Sequence, residues 1–188
     1  YTVNAGTVPP NHWTQDPAVG GGRIVGEACH FVDLLRYLVG VPITTVQSMM
    51  FGEHPALVVR HDKMTILIQF ADGSTGTIHY LANGSKRYPK EILIVFSQGR
   101  VAVLDNWKTL RGYGWSGLGT KRLWRQDKGH RAEVATFVQR VAEGGPSLIC
   151  WDELEEVSLT TFAAVSAASQ TVQPLERLVG RSHETSES

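Results

Sequence analysis

The chain has 188 residues, with 18 Lys+Arg set against 18 Asp+Glu. That length carries one ordinary domain with a real core and is short for two. A hydrophobic fraction of 42% with 19% charged residues reads as a soluble globular chain, and the balanced charge gives no electrostatic footprint for nucleic acid or an anionic membrane.

No apolar run reaches the roughly 20 residues that span a bilayer, and no signal peptide leads the fold, so a cytoplasmic location is expected. The two cysteines, Cys29 and Cys150, each stand in an apolar run and are expected as packed thiols. Without a Cys-x-x-Cys pair, no metal site is expected.

Residues 1–5 alternate and suit a strand already under way at Tyr1, as expected of a segment cut from a longer chain. Residues 6–22 carry Pro9, Pro10, Pro17 and the triple Gly20-Gly21-Gly22, which excludes helix and predicts a long loop of functional kind. Residues 23–39 then read as one helix. Ile24, Ala28, Phe31, Leu35 and Leu38 form its core stripe, and Gly40 with Pro42 ends it. Strands are predicted over 43–51, 64–70, 75–81, 91–97 and 101–104, with a further short one near 121–125. Asp72-Gly73 and Gln98-Gly99 are the hairpin turns between them, giving an antiparallel meander. Two helices follow. One, over 129–143, carries a Val134, Phe137, Val138, Val141 stripe. The other runs to about residue 169 behind an Asp152-x-x-Glu155 capping box. The polar stretch from 176 to 188 reads as a disordered tail.

Strands grouped between helices predict an α+β fold, a mostly antiparallel open sheet with helices packed on one face. Leu67 alternates with Ile66 and Ile68, and Leu93 and Val95 with Ile92 and Ile94, so the sheet is apolar on both sides. A homo-oligomer contact through the open face is the simplest cover for the second side.

The chemistry concentrates at the start of the 23–39 helix. Arg23, Glu27, His30 and Asp33 are spaced by four, three and three, and on a regular α-helix they share one face away from the core stripe. His30 carries an imidazole, which can take a proton from a hydroxyl. Glu27, one turn earlier, can orient it or bind sugar hydroxyls. The glycine run lets a ligand approach closely, and Arg23 at a helix start favours an anionic group. The bland alternative for the same four residues is a solvated helix face. His12 and Trp13 in the loop are candidate substrate contacts, the indole for stacking on a sugar, with loop anchoring as the alternative. Gly112, Gly114 and Gly117 spell the dinucleotide fingerprint, but no helix pattern follows them, so they read as a loop. Asp152, Glu153, Glu155 and Glu156 read as helix N-terminal charge, and Lys86, Arg87 and Lys90 as a solvated basic patch.

Gly20-Gly21-Gly22 with His30 and Asp33, followed by Leu34-Leu35-Arg36-Tyr37-Leu38-Val39-Gly40, resembles the signature helix of the Gfo/Idh/MocA oxidoreductases. Lys128-Gly129-His130 with Glu133 and Phe137, then Gly144-Gly145-Pro146 and Asp152-Glu153-Leu154, resemble later parts of the same C-terminal domain. The resemblance covers the chain from Tyr1 to about residue 175 and implies one substrate-binding and oligomerising domain over 1–175, of dihydrodipicolinate-reductase-like fold.

It further implies an upstream Rossmann domain, outside this chain, that binds NAD or NADP and makes the isolated chain inactive. The substrate is then a sugar, nucleotide sugar or polyol. His30 and Glu27 are implied in catalysis, and His12, Trp13, Arg23 and Asp33 in substrate binding; no residue here is implied in cofactor or metal binding. The family's catalytic pattern is Asp, three residues, then His. His30 matches, but Gly26 stands where the Asp belongs. That vacancy keeps open a non-catalytic sugar-binding or assembly module, and relatives of the fold also include NAD-assisted glycoside hydrolases. The spelling around Gly26–Asp33 resembles a branch in which this module follows a zinc-type alcohol dehydrogenase module in one chain.

Overall fold

The structure is a computed structural model and describes residues 1–169. The expected tail over 176–188 and the end of the 1–175 domain lie outside the described residues. Eight strands form one sheet: β1 (Thr2–Asn4), β2 (Ile43–Met50), β3 (Lys63–Phe70), β4 (Thr75–Leu81), β5 (Glu91–Ser97), β6 (Arg100–Asp105), β7 (Thr109–Tyr113) and β8 (Thr120–Arg122). Their order across the sheet is β2-β3-β4-β1-β5-β6-β7-β8. All pairs are antiparallel except β1 with β4, which run parallel. The α+β expectation therefore holds. The simple meander is interrupted, because β1 inserts between β4 and β5 and joins two antiparallel blocks.

Both predicted hairpin turns form. At the first, Ser74 N–H donates to the Asp72 carboxylate at 2.9 Å, and at the second, Gln98 and Gly99 both adopt positive φ, which matches the right-handed twist of the strands. Strand β7 is an addition. It contains Gly112, expected in a loop, and the next element after it is β8, not a helix.

One face of the sheet is packed. Met64, Ile66, Ile68 and Phe70 on β3 point the same way as Ile78 and Tyr80 on β4 and Val3 on β1, and all are buried. Over them lies a helical segment that is not regular. A single π turn, Ile24–Ala28, leads into α1 (Cys29–Val39). Phe31, Val32 and Leu35 of α1 enter the core. Leu35 sits over Gly76, where an added Cβ would come within 2.8 Å of its Cδ1, so the small residue lets helix and sheet close. Full burial of each such aliphatic side chain contributes about 1.5–3 kcal/mol.

Helix α3 (Trp151–Ala168) packs beside α1 and along β2. Arg36 binds Glu156 at 3.2 Å and Glu153 at 3.4 Å, and Glu156 also accepts from the Ile43 N–H. The N-cap of α3 is Cys150, extended and without a side-chain cap, so the expected Asp152 capping box does not form. Asp152 and Glu153 lie inside the first turn, where their charge complements the helix dipole. Neither thiol is fully buried as expected: Cys29 is half-buried and Cys150 exposed. Helix α2 (His130–Glu143) is separate again. Its predicted stripe exists, yet it contributes no buried residue among those described.

Candidate functional site

The loops at one end of the sheet converge on the π turn. Strand β1 ends at Asn4, and the following carbonyls of Ala5 and Gly6 both accept from the Arg23 guanidinium, at 3.2 and 2.7 Å. Gly21 and Gly22 have φ of 71° and 82°, a left-handed pair that turns the chain into the helix and that L side chains resist. Gly20 allows a closer approach still. A Cβ there would meet the Trp13 carbonyl oxygen at 2.6 Å, so the loop folds back on the helix entrance.

The π turn changes which way the signature residues face. Its extra residue rotates everything before it relative to a continuous α-helix, which turns by about 100° per residue. Arg23 is carried inward and is only 3% exposed, against the surface position that regular spacing predicts. Its guanidinium holds Glu27 at 3.0 Å, approaches Asp62 at 3.9 Å, and lies 5.5 Å from the centre of the Tyr80 ring. Tyr80 donates to Glu27 at 2.7 Å. Burial, and then this bond to a carboxylate, push the phenol's pKa well above its ordinary value. Asp62 is also buried, accepting from Gln15 at 3.0 Å and Lys63 at 2.6 Å. Two carboxylates and two cations thus close a network that ties the 6–22 loop, the π turn and the start of β3 together.

Past the π turn the residues face outward. His30 is exposed on α1. Asp33, one turn on, is half-buried. Its pKa is raised by burial and by the nearby Glu153 charge, with His30 opposing the shift. Gly26 is exposed in the middle of the turn, with no side chain over it. His12 and Trp13 are exposed in the loop and stack loosely, 5.8 Å between ring centres, while His12 caps a short 3-10 turn (Trp13–Gln15) through Thr14. The structure therefore joins Arg23 to Glu27, and His12 to Trp13. Among the described residues no hydrogen bond or ring contact links His12 or Trp13 to His30.

Sequence reasoning missed Gln15, Asp62, Lys63 and Tyr80. Tyr80 had a readable signal, since it shares the inward register of β4 with Ile78. Asp62 and Lys63 had none, because charges beside a turn ordinarily meet water. Among the described residues no group of His, Cys, Asp and Glu is arranged to hold a metal, and no helix is long and apolar enough to cross a membrane.

The sequence profile of the GFO/IDH/MocA C-terminal domain matches residues 1–102. No curated protein matches the chain. Solved structures share its fold. A levoglucosan dehydrogenase in complex with NADH and levoglucosan superposes with a TM-score of 0.70 at 20% identity, covering 90% of this chain and 55% of that one. A UDP-N-acetylglucosamine 3-dehydrogenase from Acidithiobacillus ferrooxidans gives 0.67 at 17% identity, over 88% and 51%. A protein of gentamicin A biosynthesis in complex with NAD gives 0.60 at 23%, over 90% and 51%. The chain spans about half the length of these structures. The profile match and the shared fold agree with the site's glycine-lined helix start: this chain belongs to the Gfo/Idh/MocA oxidoreductases, as their C-terminal domain.

Proposed function

We propose that this chain is the substrate-binding half of an NAD- or NADP-dependent dehydrogenase acting on a sugar, nucleotide sugar or polyol. The observation that carries the reading is the exposed imidazole of His30, directly after a π turn and beside a glycine-lined entrance. The open surface over Gly26 leaves room for a ligand against the turn, which fits a nicotinamide presented by a Rossmann domain that supplies most of the cofactor's contacts. When bound, the nicotinamide would supply an acceptor for the hydride leaving the carbinol carbon. His30 takes the hydroxyl proton on its ring nitrogen as the carbonyl forms. Asp33 stands one turn on, half-buried. Arg23 acts from within, fixing the loop that presents His12 and Trp13, and Glu27 is held in place by Arg23 and Tyr80 with part of its carboxylate open to solvent. Trp13, exposed, offers an indole face to a sugar ring.

The open sheet face supports an assembly role. Leu67, Ile94, Phe96 and Tyr113 are exposed there, and a second copy of the chain is the occupant this reading assigns to it.

The test uses the complete protein with its Rossmann half. NADH formation is followed over a panel of sugars, nucleotide sugars and polyols, and His30→Ala is expected to lower kcat by about 10²–10⁴-fold, the scale of a general base. Full activity in that variant removes His30 from catalysis. A second reading, a sugar-binding module without turnover, is favoured by Gly26 at the family's Asp position. Saturable binding of a nucleotide sugar with no reduction of NAD or NADP would establish it instead.

A further inference from the structure

The open face is chemically divided across β5 to β8. At one end of the strands Phe96, Val101 and Tyr113 lie side by side through the register Phe96↔Val101↔Tyr113. At the other end the register Asp105↔Thr109↔Arg122 places three polar side chains in a row, with Arg111↔Thr120 next to them. Paired residues point to the same side of a sheet, so these groups converge. They line a concavity of about 340 Å³ together with Lys108.

Three cations and one carboxylate meet there. Arg111 and Arg122 lie diagonally on adjacent strands, where like charges repel. Among the described residues none of Lys108, Arg111 and Arg122 forms an ion pair. Arg100, also on β6, is used elsewhere, over the Trp115 ring at 5.2 Å. The turn that delivers Lys108 is strained. Asn106 and Trp107 have φ of 50° and 54°, a left-handed pair that a tryptophan resists. It is held by Trp107 Nε1–H donating to Glu91 at 2.7 Å and by Gln126 donating to the Asn106 carbonyl at 2.9 Å.

We infer that this corner binds a phosphorylated sugar or nucleotide, a ligand the hydride-transfer reading does not require. The phosphate sits between the Arg111 and Arg122 forks, whose planar donors match its oxygens, with Lys108 adding charge and Thr109 and Thr120 donating hydroxyl hydrogen bonds. Asp105 lies two strands from Arg122, about 10 Å at ordinary strand spacing. There its carboxylate accepts from a ligand hydroxyl. A sugar phosphate has both ends at that separation, and inorganic phosphate has one.

Calorimetric titrations of the full chain at constant ionic strength test this, with inorganic phosphate, glucose 6-phosphate, uridine diphosphate and acetate as probes. Saturable binding with one site per chain is expected for the three phosphates and not for acetate. Glucose 6-phosphate and uridine diphosphate should bind more tightly than inorganic phosphate, and whichever is tighter identifies a sugar or a nucleotide source. Arg111→Ala with Arg122→Ala should weaken all three at least tenfold, while Lys86→Ala with Arg87→Ala leaves them unchanged. Asp105→Asn should weaken only the hydroxyl-bearing ligands. If the double alanine variant loses its circular dichroism, the lysine pair Arg111→Lys with Arg122→Lys is read instead, with a several-fold loss expected. Binding that ignores the arginine substitutions, or acetate binding as tightly as phosphate, overturns the proposal.

Discussion

Gly26 stands four residues ahead of His30, and a Cβ built on it would come no nearer than 3.8 Å to any neighbour, the Gly20 carbonyl oxygen. Its backbone is not in the left-handed region. The position that carries Asp in the family's pattern is therefore empty by sequence and not by steric need. Gly26→Asp should fold, with a stability change of a few tenths of a kcal/mol from helix propensity. In the complete protein it should raise kcat for NADH formation at least tenfold, with a smaller change in KM. An unchanged kcat would mean that this vacancy does not limit turnover.

Arg23 gives a sharper test of what holds the site. Its side chain is almost fully buried and compensates Glu27 and Asp62. Arg23→Ala leaves those carboxylates without their guanidinium, and breaking a buried pair from one side typically costs about 3–5 kcal/mol. Urea unfolding should show a loss of that size. Tyr80→Phe removes one hydrogen bond to a carboxylate and should cost about 1.5–3 kcal/mol. If Arg23→Ala retained full stability and lost only substrate affinity, the guanidinium would be a ligand contact after all.

The same residue marks where the sequence stopped being readable. Strands β4 and β5 could be bounded because alternation and the turn residues Asp72-Gly73 and Gln98-Gly99 are local signals. Most of the core stripe over 23–39 was legible for the same reason, but Leu38, expected in it, is exposed, and Val32, not expected in it, is buried. Arg23 and Glu27 at i,i+4 look identical on a solvated helix and on one with a π turn ahead of α1, so the rotation that buries Arg23 left no trace in the spacing. The insertion of β1 beside β4 joins residues more than 70 positions apart and is fixed by packing, which periodicity does not report. Strand β7 was hidden by Gly112, whose place in a strand follows from its contact with the 118–119 turn. For His30 the helical spacing supplied the outward face, on which the structure leaves it exposed, and the resemblance supplied the catalytic role.

Glu91 predicts an acid limit. It is 5% exposed and accepts from Tyr1 Oη–H at 2.5 Å, from Trp107 and from Lys128. Burial alone would raise its pKa, but the Lys128, Tyr1 and Trp107 hydrogen bonds outweigh it and hold the carboxyl below the usual glutamate value of about 4.5. A depressed carboxylate pKa contributes stability above the unfolded-state value, and that contribution is lost as pH falls through the folded-state value. Thermal midpoints should therefore drop as pH is lowered past about 4.5. Glu91→Gln should be less stable at neutral pH and show a flatter acid limb. A parallel pair of pH curves would place the acid sensitivity elsewhere.

The assembly reading makes its own demand on the open face. Ile94 and Phe96 are 47% and 77% exposed on β5, on the side of the sheet away from α1 and α3. An apolar patch of this kind on an isolated chain is ordinarily covered by a partner, and a two-fold contact would place the same strands of two copies against each other. Phe96→Glu would then bury two carboxylates without partners at one interface, a cost well above that of any surface substitution. Light scattering on the complete protein should show the oligomer of the parent sequence reduced in mass by Phe96→Glu, with circular dichroism unchanged. Because Arg111 and Arg122 stand at the polar end of the same face, Phe96→Glu should leave phosphate binding intact. An oligomer that survives Phe96→Glu and Ile94→Glu together would place the contact on another surface.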